Sequence, residues 1–403
     1  MQDTPRGERL HIAIFGKRNA GKSSLINALT KQQVALVSEM PGTTTDPVYK
    51  AMEILPLGPV VLIDTAGLDD EGQLGLLRVG KSKEVLNKTD LAILVVDGQS
   101  SLSEFDVKIF QEIKAKKIPI VTVINKVDLK RNLITQNVID KLGNDVVEVS
   151  SVTGAGIELL KGLLIKNTPE KWGEETLISD IVKADDNVVL VVPIDSAAPK
   201  GRLILPQVQV IREVLDNDAN CIITKENKLA ETLKNLKEAP SLVVTDSQVF
   251  GEIESIIPDE IPFTSFSILF ARYKGDLKAY LSGVNAIEKL VENDKILIAE
   301  GCTHHRQKDD IGTVKIPKWL KEYTGLNLTF DWVSGGHYPA DLAEYKLIIH
   351  CGACMLNRRE VLYRNSIAKE QKVPIVNYGL LIAYLKGILP RVIRPFADEI
   401  IED

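Results

Sequence analysis

Short apolar runs recur along the chain, and amphipathic stretches separate them. Residues 11–15, 60–63, 91–96 and 119–124 are largely apolar and of strand length. Residues 24–29 and 104–114 space their apolar positions as helices do. The alternation predicts a mostly parallel sheet with helices on both faces, ending near Leu164. Residues 168–175, TPEKWGEE, are polar, contain Pro and Gly, and read as a linker. Beyond them, residues 188–192, 203–205, 221–224, 242–245 and 266–270 read as strands, and 228–236 as a helix. Residues 274–292 read as one helix entering a last alternating region, with strands at 295–299, 345–349 and 374–376 and a helix at 380–389. The expected fold class is α/β: a first domain over residues 1–168, then two smaller α/β domains over 176–272 and 273–403. No internal repeat and no low-complexity segment is visible, and the acidic end, residues 398–403, is expected to fray.

Composition adds bounds rather than chemistry. The 403 residues are 44% hydrophobic and 26% charged, ordinary for a soluble globular chain. The net charge of −6 argues against nucleic acid or an anionic membrane as the main partner. No apolar run reaches transmembrane length, and the polar residues 1–10 hold no signal-peptide core, so the cytoplasm is the expected compartment. Four cysteines are too few for a disulfide framework, and the Cys351/Cys354 pair instead reads as metal or redox chemistry.

The first apolar run leads into Gly16-Lys17-Arg18-Asn19-Ala20-Gly21-Lys22-Ser23, a phosphate-binding loop that opens a helix. Its glycines let backbone N–H groups face phosphate oxygens, and the helix N-terminus adds positive partial charge. Lys22 would reach the β- and γ-phosphates and Ser23 would ligate magnesium, with Gly16, Asn19, Ala20, Gly21 and Ser24 completing the cradle. Asp64-Thr65-Ala66-Gly67 ends the next strand; Asp64 would face the magnesium and the Gly67 backbone the γ-phosphate. Asn125-Lys126-Val127-Asp128 follows a further strand. The Asp128 carboxylate suits guanine N1–H and the exocyclic amine, and adenine would leave it unpaired. Asn125 suits guanine N7, the Lys126 stem packs on the base, and Ser150-Ser151-Val152 can offer a backbone N–H to guanine O6. A bound GTP or GDP with magnesium is therefore expected.

Over about residues 9–165 these motifs, in this order, resemble the translation-factor-type GTPases near the TrmE and Era group. The resemblance implies GTP hydrolysis. It also implies a threonine loop closing over the magnesium and γ-phosphate, which Pro41-Gly42-Thr43-Thr44-Thr45-Asp46 fits, Thr44 first and Thr43 second. Leu68 stands directly after the D-x-x-G motif, where a Ras-like enzyme has a water-orienting Gln. TrmE-type enzymes share that departure and use a potassium ion held partly by a loop Asn, the position of Asn19. The expected catalytic set is Lys22, Asn19, Thr44, Asp64 and Gly67, with potassium as activator.

A second chemical cluster lies near the C-terminus. Cys302-Thr303-His304 follows one expected strand and His350-Cys351-Gly352-Ala353-Cys354 another. Strand ends on one edge of an α/β sheet are where ligands bind, so the two segments are expected to converge. Thiolates select zinc or an iron–sulfur cluster. Three cysteines and a histidine would close a zinc site. A four-iron cluster would find three cysteines and take its fourth ligand from His304, His350, Asp309 or something exchangeable. Uncoordinated thiols or a redox pair are the plainer readings. Cys221, in a strand-like run, reads as a core residue, and His337 as a turn or core residue.

A GTPase domain followed by C-x-H and a distant H-C-x-x-C resembles the HydF family, the maturation GTPases of iron-only hydrogenases. The resemblance covers the whole chain, including Pro199-Lys200-Gly201-Arg202-Leu203-Ile204-Leu205-Pro206 in the middle region. It implies a dimerising middle domain and a 4Fe-4S cluster on Cys302, Cys351 and Cys354, with His304 and His350 supporting or exchangeable. It further implies a homodimeric scaffold that carries the diiron precursor to the hydrogenase and works with the radical maturation enzymes. His305 departs from that pattern. The competing expectation is an RNA- or ribosome-associated GTPase with a structural zinc domain.

Overall fold

The computed structural model describes residues 4–30, 47–65, 81, 84–129, 141–143, 145–170, 172–194, 201–302 and 310–401. The chain divides into two compact units, Met1–Gly173 and Glu174–Asp403, and the break falls within the expected linker. Among the described residues, no helix is long and apolar enough to cross a membrane.

The first unit is a six-stranded sheet. Its strands are β1 (Leu10–Phe15), β2 (Val48–Ile54), β3 (Gly58–Asp64), β4 (Leu91–Asp97), β5 (Ile120–Asn125) and β6 (Val146–Val149). Their order is β2-β3-β1-β4-β5-β6, with β2 antiparallel to β3 and the other pairs parallel. Every residue of β1 is buried, as befits a central strand with helices on both faces. Helix Glu104–Ala115 starts at a reciprocal cap between Ser103 and Asp106. The edge strand β2 was not expected from sequence; Lys50 and Glu53 interrupt its apolar residues, and of the seven only Ile54 is buried. The parallel strands deliver Gly16, Asp64, Asn125 and Ser150 to one edge of the sheet.

The second unit holds two parallel four-stranded sheets. The first contains β7 (Asn187–Val191), β8 (Asn220–Thr224), β9 (Leu242–Thr245) and β10 (Phe263–Ser265), in the order β10-β9-β7-β8. The other contains β11 (Lys295–Glu300), β12 (Thr329–Ser334), β13 (Leu347–His350) and β14 (Ile375–Asn377), in the order β12-β11-β13-β14. The two orders are the same. In each sheet the first strand lies between the second and third, and the fourth flanks the third. The chain thus repeats a topology without repeating a sequence, because burial pattern and crossover handedness define it rather than residue identity. One hydrophobic core, including Val189, Val243, Phe270, Ile298, Ile348 and Leu381, runs through both sheets.

Three local expectations are corrected. Residues 203–205 form no strand; Leu205 opens helix Leu205–Asp216, where Gln207 accepts the Ile204 N–H and Pro206 sits in the first turn. Residues 266–270 belong to helix Phe266–Lys274, whose N-terminal Ile268 N–H is taken by the Ser265 hydroxyl. The expected helix over 274–292 is broken: Asp276 caps a fresh helix, Leu277–Val284, and a short turn at Ile287–Lys289 follows. Helices Ile316–Thr324 and Arg358–Glu370 and strand β12 were not anticipated. Cys221 lies on β8, half-buried and packed against the core.

Gly283 sets how closely its helix approaches β14. A Cβ there would overlap the carbonyl oxygen of Ile375, a backbone atom that cannot swing aside. Gly283→Ala should therefore destabilise the second unit by about 3 kcal/mol or more, read as a lowered denaturant midpoint.

Candidate nucleotide and cysteine sites

The phosphate-binding loop leaves β1 through backbone conformations that few side chains permit. Gly16 has φ +146° and a Cβ there would strike the Val95 carbonyl; Gly21 has φ +94° and a Cβ there would strike Asn125. Asn19 itself takes a left-handed φ of +60°, which an Asn tolerates better than most residues. Lys22 spans the loop, its Nζ donating to the carbonyls of Gly16 (2.9 Å) and Lys17 (2.7 Å). Ser23 Oγ donates to Asp64 Oδ2 at 2.6 Å. The two residues expected to share a magnesium ion are thus in contact. Burial pushes the Asp64 carboxyl above its usual range, against the pull of the Ser23 hydrogen bond and the Lys22 and Lys50 charges. A cation is the natural means of keeping such a carboxylate ionised. Thr65 Oγ1 donates to Ile14 O at 2.6 Å and fixes the end of β3.

The base-side motif is tied to the phosphate loop by one side chain. Asn125 is 1% exposed. Its Nδ2 donates to Ala20 O at 2.9 Å, and its Oδ1 accepts from Ser151 N (3.2 Å) and Ser151 Oγ (2.8 Å). Asn125 therefore clamps the loop after β1 to the loop after β6, a role that sequence spacing does not reveal. Lys126, at φ +66°, donates to Asp97 Oδ2 at 2.6 Å, and Asp97 ends β4. Asp97 was missed from sequence; the available signal was an Asp-Gly pair leaving a buried strand. Asp128 and Val152 are exposed, and Ser150 is buried with its Oγ accepting the Thr153 N–H. Thr43, Thr44, Gly67 and Leu68 lie outside the described residues.

At the other end of the chain, β11 and β13 are parallel neighbours, with Ala299 paired to His350. Cys351 N donates to Ala299 O at 3.0 Å. The loop carrying Cys302 packs on the loop carrying Cys351 and Cys354: a Cβ on Gly301 would lie 3.0 Å from Leu356 Cγ and 3.2 Å from Ala353 Cα. Cys351 Sγ accepts two backbone N–H bonds, from Gly301 (3.0 Å) and Ala353 (3.3 Å). Burial pushes the Cys351 thiol up, and those two bonds oppose the rise. Ala353 is left-handed at φ +55°, which turns the Cys351–Cys354 segment back on itself. Lys274, 1% exposed, donates to the carbonyls of Cys354 (3.2 Å) and Leu356 (2.6 Å). The two cysteine segments leave neighbouring strand ends. Among the described residues, however, no three His, Cys, Asp or Glu side chains stand assembled to hold a metal ion. His304, His305 and Asp309 lie outside the described residues.

His350 is fully buried and both ring nitrogens are engaged. Nδ1 lies 2.8 Å from Cys351 O, so it carries the proton, and Nε2 accepts from Arg364 Nη1 at 3.2 Å. Burial first, and the Arg364 charge next, push its pKa down to about 3. In this arrangement His350 has no lone pair to offer a metal.

Comparison with known proteins gives three matches along the chain. Residues 11–126 match the family model of the 50S ribosome-binding GTPase. Residues 177–275 match the hydrogen maturase F dimerization domain and residues 278–395 the hydrogen maturase F tetramerization domain. The tRNA modification GTPase MnmE of Desulforamulus reducens is 33% identical over 207 residues, 47% of this chain and 44% of the relative. That of Thermoanaerobacter sp. is 39% identical over 159 residues, 39% of this chain and 34% of the relative. That of Aquifex aeolicus is 38% identical over 161 residues, 40% of this chain and 34% of the relative. The chain spans less than half the length of these curated relatives.

Proposed function

The chain is of the hydrogen maturase F type, a GTPase domain followed by that family's dimerization and tetramerization domains, and from this premise we propose that it is a self-associating, GTP-hydrolysing scaffold that holds a 4Fe-4S cluster on Cys302, Cys351 and Cys354. The observation that supports the reading is that β11 and β13 are parallel neighbours and Gly301 packs on Ala353, so the segments bearing Cys302 and Cys351/Cys354 leave adjacent strand ends. The donor set fits: thiolates suit iron, and the two N–H bonds to Cys351 Sγ are those a thiolate prefers. Bound there, such a cluster supplies an iron to which an exchangeable ligand or cargo attaches. His304 and Asp309 are the remaining fourth-ligand candidates, since His350 is engaged elsewhere. The cargo is the diiron precursor of an iron-only hydrogenase, and the partners are that hydrogenase and the radical enzymes that build the precursor. The GTPase domain, with magnesium on Ser23, Asp64 and Thr44 and the base on Asp128, acts as the switch that times loading or release. Such a switch requires different contacts in its two nucleotide states.

The test is anaerobic purification followed by iron, sulfide and zinc analysis and an absorption spectrum. A broad brown absorption with iron and sulfide supports the scaffold. Zinc in equal amount to protein, with no iron, supports the second reading, an RNA- or ribosome-associated GTPase with a structural zinc domain. That reading draws on the match of residues 11–126 to a ribosome-binding GTPase.

Hydrolysis is expected to be slow and to run several-fold faster in potassium than in sodium. The observation behind this is Asn19 at φ +60° in the phosphate loop, together with Leu68 where a water-orienting Gln would stand. Equal rates in the two salts would remove the potassium site.

A further inference from the structure

We propose that Arg364 is a positioning residue of the cysteine site: it withholds His350 from ligation and supplies a fixed positive charge behind Cys351. The inference rests on the scaffold reading above and concerns this chain's own residues toward the cluster.

Arg364 projects from helix Arg358–Glu370 and is 0% exposed, the largest fully buried side chain of the described residues. Burying a guanidinium costs several kcal/mol unless its surroundings repay it. One carboxylate does so in part: Nη2 donates to Glu360 Oε1 at 2.8 Å, one helical turn away. Nη2 also donates to Gly335 O at 2.6 Å, just past the end of β12. The guanidinium carbon lies 5.0 Å from the centre of the Tyr338 ring, close enough for a cation–π contact. Nε remains buried without a hydrogen-bond partner. Nη1 donates to the lone pair of a neutral imidazole, His350 Nε2, at 3.2 Å.

That arrangement has two consequences. The bond to Nε2 fixes the tautomer, so Nδ1–H points to the Cys351 carbonyl at 2.8 Å. The histidine therefore braces the backbone of a cysteine ligand rather than competing for iron, as outer-shell partners of metal sites do. The charge also sits one imidazole away from the ligand. A fixed cation there stabilises the more negative, reduced state of a thiolate-bound centre over the oxidised one.

The test uses the full chain, reconstituted with iron and sulfide under anaerobic conditions. The fraction of reduced centre at a fixed potential is read by electron paramagnetic resonance, with circular dichroism as the folding control. Arg364→Gln should lower the reduced-to-oxidised ratio about tenfold, equivalent to a shift of about 59 mV for one electron. Glu360→Gln, which leaves the cation uncompensated, should move the ratio the opposite way. Arg364→Lys should stay closer to wild type than Arg364→Gln does. Nitrogen hyperfine coupling should be the same in wild type and His350→Gln. If Arg364→Gln does not fold, Glu360→Gln and the nitrogen spectrum decide. Ratios within about twofold of wild type in every folded charge variant, or a strong nitrogen coupling that vanishes in His350→Gln, would overturn the proposal. Wild-type protein that takes up no iron fails the scaffold reading itself, a separate and earlier result.

Discussion

Asn125→Ala should weaken GTP binding by roughly a hundredfold or more, a larger loss than removing one base contact would give. The side chain is buried and serves two loops at once. Truncation leaves the Ala20 carbonyl and the Ser151 N–H without the partner they have now, and each such loss costs about 1–3 kcal/mol. Since about 1.4 kcal/mol is tenfold in affinity, two losses together reach the stated range. Ala20 belongs to the phosphate loop, so the damage should extend beyond base selectivity. Affinity for GDP and for inosine diphosphate should fall along with that for GTP. Fluorescent-nucleotide titration checks this. A variant that lost only guanine selectivity, with phosphate affinity intact, would mean that Asn125 acts on the base alone.

Cys351→Ser should abolish cluster binding while leaving the fold in place. A serine oxygen is a poor ligand for iron compared with a thiolate, so iron per chain should drop to less than about a tenth of wild type after reconstitution. The hydroxyl can still accept the N–H bonds that Gly301 and Ala353 now give to sulfur. Loss of stability should therefore be small, about 1 kcal/mol or less. The pairing of lost iron with a retained thermal transition separates a ligand from a core cysteine. If the variant keeps its iron, the centre is held elsewhere. If it unfolds, Cys351 is chiefly a packing residue. Cys302→Ser should give the same loss of iron.

Much of this protein was legible one segment at a time. The phosphate loop, the Asp64 strand end, the Asn125 motif and the cysteine segments are each a few residues of fixed chemistry beside an apolar run. Their meaning comes from that local context. Strands β1, β4, β9 and β11 were equally plain, because a fully buried strand needs only a short apolar run. The misread segments were those where an apolar run fits either period. Residues 266–270 became helix because Ser265 caps them, and 203–205 gave way to a helix starting at Leu205. β2 and β12 escaped notice because edge strands expose half their residues and dilute the pattern.

What the chain's chemistry settled alone was the inventory: a guanine-nucleotide motif set in one half and three cysteines at strand ends in the other. What required tertiary structure was adjacency. The Asn125 clamp joins residues 105 apart in sequence, the Arg364–His350 bond joins a helix to a strand end, and the two matching sheets share no visible sequence repeat. Hydrophobic periodicity is a short-range property and reports which face of a segment is buried. Which buried donor meets which acceptor depends on strand order and helix packing, and these are set only when the whole core closes.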